Sequence, residues 1–311
     1  MNKIICIAGP TASGKTALSV ALAKEVDGEV ISCDSMQIYK GMDIGTAKPT
    51  PDEMQGIPHH MLDVAEPWED FSVGRYCQMA TPIIDDILSR GKTAIIVGGT
   101  GLYMDALIRG NNFAPCPSTG MRERLESQAD QDGIESMLRL LSTIDPVSAA
   151  KLHLADRKRI LRALEVYYET GETITEHNLK TQQYPPKYTP TWFALQDENR
   201  DDLYQRINNR VDKMINDGLM EEITNLLSHG IPEKCTAMQA IGYKEFLDAL
   251  HGVCTIETAI EEVQKASRHY AKRQLTWFRR NPAIHWLTRS HGEGTDKILL
   301  KAMQVLTDFD N

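Results

Sequence analysis

Short apolar runs alternate with segments of helical period through the N-terminal part of the chain. Ile4, Ile5, Cys6 and Ile7 form a run rich in β-branched residues that closes at Gly9-Pro10, the pattern of a buried strand entering a turn. From about Lys15 the apolar positions take helical spacing: Leu18, Ala21, Leu22 and Val26 share one face, and Gly28 is the expected stop. Val30 to Cys33, ending at Asp34, and Thr93 to Val97, ending at Gly98-Gly99, are further buried-strand candidates, with a helix expected over Tyr76 to Arg90 between them. Strands alternating with helices imply a mostly parallel sheet covered on both faces, an α/β fold.

After Arg109 the pattern changes. A Pro/Gly-rich stretch, Asn111 to Gly120, leads into a block with helical period and no convincing strand as far as Thr170, and a second proline-rich stretch, Tyr184 to Pro190, closes it. Two hinge-like segments around a helical block suggest an inserted all-helical domain over 117–188, between core segments 1–116 and 189–311. Thr191 to Leu195 then reads as a strand returning to the core, followed by amphipathic helices near 201–228, 237–250 and 256–280. Pro282 ends the last of these, and Ile284 to Leu287 is a final strand candidate.

The length, 311 residues with 41% apolar, exceeds what one hydrophobic core usually serves and supports the division into two domains. The longest apolar runs, such as Ile4 to Ala8, are too short to span a bilayer, and the N-terminus is too short for a secretory signal, so a soluble protein is expected. Six cysteines with no C-x-x-C pair argue against disulfides or a zinc knuckle and for a reducing compartment, the cytoplasm. A net charge of -9 argues against nucleic acid until the distribution is considered. Lys265 to Arg280 holds six Lys and Arg and no acid, and Arg157 to Arg162 holds four and no acid. On a helix, Lys265, Arg268, Lys272 and Arg279 form one stripe, and Lys158 and Arg162 lie one turn apart with Ile160 and Leu161 available for a core. Two such islands fit a large polyanion better than a solvated surface, which normally mixes signs.

Gly9-Pro10-Thr11-Ala12-Ser13-Gly14-Lys15-Thr16 matches G-x-x-x-x-G-K-[ST] between a strand and a helix, a P-loop NTPase-like cradle for phosphates of the kind that binds ATP. Loop amides and the helix N-terminus face the anion, Lys15 supplies a charge, and the Thr16 hydroxyl is placed to hold Mg2+. Asp34, at the carboxyl end of a strand, is the candidate reactive carboxylate, with a turn cap or a water-mediated Mg2+ contact as the alternatives. Where a water-activating NTPase would carry a carboxylate, the strand ending at Val97 continues as Gly98-Gly99-Thr100. His59-His60 with Asp63 lacks a further ligand set and is read as structural.

Together these motifs resemble the bacterial tRNA dimethylallyltransferases along nearly the whole chain. The resemblance rests on the P-loop, on the long block from Asp34 through Lys48-Pro49, on Val97-Gly98-Gly99-Thr100-Gly101-Leu102-Tyr103, and on Arg162-Ala163-Leu164-Glu165, Ile241-Gly242-Tyr243-Lys244 and Ala271-Lys272-Arg273-Gln274. It implies transfer of a dimethylallyl group from its diphosphate to N6 of the adenosine 3′ of a tRNA anticodon, in a monomer that needs Mg2+. Residues Gly9, Pro10, Thr11, Ala12, Ser13, Gly14, Lys15 and Thr16 would bind the diphosphate, and Asp34 would take the N6 proton. Asp34, Ser35, Met36 and Gln37 would meet the tRNA, as would Lys158, Arg159, Ile160, Leu161 and Arg162, with Lys272 and Arg273. Thr100 and Arg122 would stand beside the channel where the base enters. Leu154-Ala155-Asp156-Arg157 departs from the family's Pro-Asn-Asp. A small-molecule kinase and an RNA-binding module with a nucleotide switch are the competing readings; the first predicts ATP consumption without RNA, the second RNA binding without product.

Overall fold

The computed structural model describes residues 3–110, 119–182 and 185–308. The chain divides into two compact units, one formed by Met1–Gly110 with Lys187–Asn311 and the other by Asn111–Pro186. The division lies at Gly110 and Lys187, against the expected 116 and 188. Its reason is local: Gly110 caps the preceding helix with φ +70°, and the backbone N–H groups of Lys187 and Tyr188 return to the carbonyls of Arg109 and Ile108 at 3.3 and 3.1 Å. Most of the first Pro/Gly-rich stretch, with Cys116, and part of the second lie outside the described residues.

The larger unit runs β1 (Ile4–Ala8), α1 (Lys15–Glu25), β2 (Gly28–Ser32), α2 (Pro51–Met54), β3 (His59–His60), α3 (Val73–Ser89), β4 (Thr93–Gly98) and α4 (Gly101–Arg109) before the insertion. The smaller unit holds α5 (Met121–Asp132), α6 (Ile134–Ile144), α7 (Pro146–Ala149), α8 (Arg157–Thr170) and α9 (Ile174–Gln182). The core then resumes with β5 (Thr191–Asp197), α10 (Arg200–Asn216), α11 (Leu219–Ser228), α12 (Lys244–Leu250), α13 (Ile256–Phe278), β6 (Ile284–Arg289) and α14 (Thr295–Asp308).

The six strands form one sheet in the order β3-β2-β4-β1-β5-β6, and every pairing is parallel. All carboxyl ends therefore share one edge, where ligands of open α/β sheets collect. Alternation along the strands sends Ile5, Ile7, Val30, Ile95, Phe193 and Leu195 to the face covered by Leu18 and Leu22 of α1 and Ile298 and Leu306 of α14. Tyr76, Ile84, Met104 and Leu107 of α3 and α4 are buried, and Tyr76 donates to the Ser32 carbonyl at 2.9 Å.

Several expected boundaries move. Gly28 does not stop α1; Asp27 makes the turn at φ +46°, and Gly28 opens β2, where a Cβ would lie 2.9 Å from Ile95 Cδ1. The single helix expected over 201–228 is broken into α10 and α11 by Gly218 at φ +101°. The 237–250 segment is helical only as a short 3-10 turn, Ala237–Gln239, and α12, with Gly242 at φ +99° between them.

The smaller unit has its own core, in which Leu125, Met137, Leu141, Ile160, Leu161 and Leu164 are buried. Asp145 ties it together: its carboxylate accepts from Ser148 N at 2.9 Å and from the Thr175 hydroxyl at 2.7 Å. Burial pushes that carboxyl up, but the bonds from Thr175 and Ser148 outweigh it and hold the pKa below the usual range.

Candidate functional site

The loop joining β1 to α1 lies at the carboxyl edge of the sheet. Gly9 takes φ +146°, and a Cβ there would meet the Leu195 carbonyl at 3.1 Å; Gly14 takes φ +86° at the N-terminus of α1. Thr11, Ala12, Ser13, Gly14, Lys15 and Thr16 line a cavity of about 550 Å³, whereas Gly9 and Pro10 lie outside its wall. Pro10 has no N–H to offer an anion; its carbonyl instead accepts from Lys15 Nζ at 2.6 Å. Burial, reinforced by Arg210 and opposed by Asp34, lowers the Lys15 ammonium to about 7. The buried Ser13 hydroxyl has no hydrogen-bond partner. An anion seated among these groups would satisfy both.

Asp34 lies two residues past the end of β2 and lines the same cavity. Its Oδ1 accepts from Met36 N at 2.9 Å, so it does cap its own turn, while still standing on a wall shared with Lys15. The rest of the block is fixed by side chains. Gln37 donates to the carbonyls of Thr46 and Ala47 at 3.2 and 3.1 Å and accepts from the Ser32 hydroxyl, so its amide holds the following loop. Lys48 lies between Asp43 and Asp63, 2.5 Å from each, and the Glu222 carboxylate accepts from the N–H groups of Asp43, Ile44 and Gly45 and from the Tyr243 hydroxyl. His60 bonds Glu29 and His59 bonds the Ile57 carbonyl; among the described residues no three His, Cys, Asp or Glu converge as a metal cage.

Gly98, at the end of β4, admits Cys33, and Gly99 and Gly101 admit α13. A Cβ on Gly98 would fall 2.0 Å from the Cys33 carbonyl oxygen, on Gly99 2.0 Å from Gln274 Nε2, and on Gly101 2.2 Å from the Trp277 ring. Gln274 uses that clearance to bridge the site, accepting from Thr11 N at 2.9 Å and donating to the Gly99 carbonyl at 3.0 Å. One turn earlier, burial and then the Asp34 carboxylate push the Tyr270 hydroxyl up to about 12. Thr100 accepts from Ser35 N at 3.2 Å. Asp34, Arg210 and Tyr270 also line a second chamber of about 290 Å³, walled by Met36, Ile207, Val211, Met214, Ile241 and Val263 and edged by Arg273. The site is thus a loop-lined cavity with cationic walls and an apolar chamber sharing a carboxylate, an arginine and a tyrosine.

The IPP transferase family profile matches residues 37–281, and an isopentenyl transferase profile matches residues 2–67. The chain belongs to the IPP transferase family. It is 48% identical over 286 residues to a tRNA dimethylallyltransferase of Caldanaerobacter subterraneus subsp. tengcongensis, covering 91% of each chain. It resembles the crystal structure of the Bacillus halodurans tRNA isopentenylpyrophosphate transferase with a TM-score of 0.74 and 42% identity, covering 100% of this chain and 97% of that one. The structure of a eukaryotic dimethylallyltransferase acting on tRNA is similar with a TM-score of 0.85 and 33% identity, over 99% of this chain and 79% of that one.

Not every residue singled out from the sequence lies at these two cavities. Ser35 and Met36 line the second chamber with Arg273, whose guanidinium lies over the Tyr270 ring at 5.5 Å. Lys272 points instead to a hollow of about 220 Å³ with Arg200, Tyr204 and Arg279. The rail is also shorter than its spacing suggests: Lys265 pairs with Glu262 at 3.1 Å and Arg268 donates to Asn208 at 2.7 Å. Lys244 pairs with Glu245 beside a wide hollow of mixed charge, away from the cradle.

In the smaller unit, Ile160 and Leu161, expected among the tRNA contacts, are core residues, 0% and 5% exposed, so their side chains serve packing. Helical period sends them inward while Lys158, Arg159 and Arg162 remain exposed. Arg157 is 2.5 Å from Asp130, Arg159 pairs with Asp156, Arg162 with Glu165, and Arg122 with Glu126 at 3.4 Å, so this island is partly neutralised by acids outside it.

Two residues of the core site, Arg210 and Tyr270, belong to none of the motifs, and Gln274 belongs to Ala271-Lys272-Arg273-Gln274 without a role of its own assigned there. Arg210 left no sign in the spacing because it is one cation among several on α10. Burial lowers its guanidinium, against the attraction of Asp34 and Glu53. Among the described residues no helix is long and apolar enough to cross a membrane.

Proposed function

We propose that this enzyme transfers a dimethylallyl group from dimethylallyl diphosphate to N6 of the adenosine immediately 3′ of a tRNA anticodon, releasing diphosphate. The observation that carries the reading is the position of Asp34, on the wall common to the phosphate cradle and the apolar chamber. Loop amides, Ser13, Lys15 and Arg210 bind the diphosphate in the polar cavity, with the allyl carbon toward Asp34. The adenine enters the apolar chamber past Met36, Tyr270 and Arg273, flipped out of the anticodon loop because a stacked base cannot reach a carboxylate on the wall of a cavity.

Bond cleavage at the allylic carbon leaves negative charge on the diphosphate, and fixed donors aimed at that charge lower the barrier without reorganising. N6 of adenine is a weak nucleophile; as its C–N bond forms, Asp34 accepts its proton, so positive charge does not build on the nitrogen. Thr16, at the start of α1 and on the cavity wall, is the residue that would hold Mg2+. The unpaired Ser13 hydroxyl and the lowered Lys15 beside it suit a metal-diphosphate, since such a cation takes few protein ligands and keeps phosphate oxygens and waters. When bound, Mg2+ supplies further charge stabilisation of the leaving diphosphate. Exposed Lys158, Arg159 and Arg162 in one unit, and Lys272 and Arg273 in the other, bind RNA backbone.

Mass spectrometry of nucleosides from tRNA incubated with the enzyme, Mg2+ and dimethylallyl diphosphate tests the reading. One isoprenyl unit gained by the adenosine beside the anticodon is the expected result. Unchanged tRNA, with ATP consumed in the presence of a small acceptor, would replace it with the kinase reading.

A further inference from the structure

Ala12 has φ +59°, the left-handed conformation that a residue with a Cβ adopts only when its surroundings impose it. The imposing groups come from behind the cradle. Arg206 Nε of α10 donates to the Ala12 carbonyl at 3.1 Å, and an Nη of the same guanidinium is held by Asp197 Oδ2 at 2.6 Å. Asp197 ends β5, and its side chain is only 5% exposed, so the guanidinium is anchored at a fixed height above the sheet edge. On the neighbouring residue, Gln274 accepts from Thr11 N. Arg206 does not line either chamber, and its guanidinium is committed to a backbone carbonyl and a carboxylate.

We propose that Arg206, oriented by Asp197, is a positioning residue that fixes Ala12 in the left-handed conformation and thereby turns the loop amides toward the diphosphate before it arrives. The carbonyl of Ala12 is drawn out to the guanidinium, which leaves the concave side of the loop to N–H donors. A cradle formed in advance avoids the ordering cost that a slack loop would meet on binding. The inference rests on the reading of Gly9–Thr16 as the diphosphate site. It deepens that reading by assigning its geometry to a pair of residues outside the motif.

The test is calorimetric binding of inorganic diphosphate with Mg2+ to the full chain and to variants whose folding is checked by circular dichroism and thermal melts. Arg206→Gln is expected to weaken diphosphate about tenfold, the scale of one charge-assisted hydrogen bond, with tRNA affinity unchanged. Asp197→Asn, which keeps the shape and removes the anchoring charge, is expected to give a smaller loss and serves if Arg206→Gln does not fold. Ala12→Gly removes the strain that the clamp opposes, because glycine adopts positive φ freely. The loss caused by Arg206→Gln is therefore expected to shrink severalfold in an Ala12→Gly background, which a merely structural arginine would not produce. Equal losses in both backgrounds, or Arg206→Gln and Asp197→Asn binding like the parent, would overturn the clamp. A parent protein that does not bind diphosphate would overturn the cradle, and the clamp with it.

Discussion

Residues Gly9–Thr16 and helix α13 serve one site by different means. The loop presents consecutive backbone groups, so its chemistry is written in a contiguous run of residues. Helix α13 acts through isolated side chains, above all Gln274, which meets Thr11 and Gly99 at separations of 263 and 175 residues. On the proposed reading the contrast separates recognition from positioning: the loop would meet the anion, and Gln274 of the helix bonds the backbone on which the loop stands. Changes in the first region should alter protonation and chemistry, and changes in the second should loosen binding by degrees.

The most damaging change is expected where the two regions share the sheet edge. A Cβ at Gly98 meets backbone atoms of Cys33, so Gly98→Ala must shift β2 against β4 and displace Asp34 with it. Overpacking against backbone costs about 3 kcal/mol or more, and a thermal melt should show a midpoint lower by several degrees together with loss of transfer. A wild-type melt with activity lost would move the effect from the fold to the chemistry.

Next in size is a pH effect confined to the loop. Lys15 titrates at about 7 in the free protein because it is buried beside Arg210, and a bound diphosphate would favour its charged form. The complex then holds more protons than the free enzyme above pH 7, so binding is strongest below that value and weakens as pH rises. KM for dimethylallyl diphosphate should climb by up to about tenfold per pH unit above 7. Lys15→Ala should abolish that slope, and a slope surviving in the variant would assign it to another group.

The smallest effect sharpens the positioning half of the contrast. Gln274→Ala leaves Thr11 N and the Gly99 carbonyl without their partner, a penalty of about 1–3 kcal/mol shared between stability and diphosphate affinity. Steady-state kinetics should show KM for dimethylallyl diphosphate raised severalfold with kcat largely kept. A fall in kcat alone would make Gln274 part of the chemistry.

The strand and helix alternation, the P-loop and the place of Asp34 were legible because each depends on neighbouring residues: a β-branched run, a glycine turn, a carboxylate after a strand. Gly28 misled because a glycine after a helix fits both a stop and a close approach, and only the packing of Ile95 distinguishes them. β3 is two residues long and does not rise above its surroundings, whereas Ile298, Ala302 and Leu306 of α14 recur at a legible helical spacing. The basic islands looked uncompensated because their acids lie outside them, Asp130 on α5 and Glu262 one turn earlier on α13. Arg206 and Arg210, and the role of Gln274 within its motif, were hidden for a different reason: a side chain that bonds a distant backbone atom or stands alone at a cavity leaves no sign of its partner in the sequence.

The central claim is that Asp34 takes the proton while the cradle holds the diphosphate independently of it. Single-turnover transfer by the parent and by Asp34→Asn, each saturated with tRNA and dimethylallyl diphosphate, tests it directly. Diphosphate binding within a fewfold of the parent and a transfer rate lower by about 10²–10⁴ are expected for Asp34→Asn. Equal single-turnover rates would contradict it and leave Asp34 as the cap of its own turn.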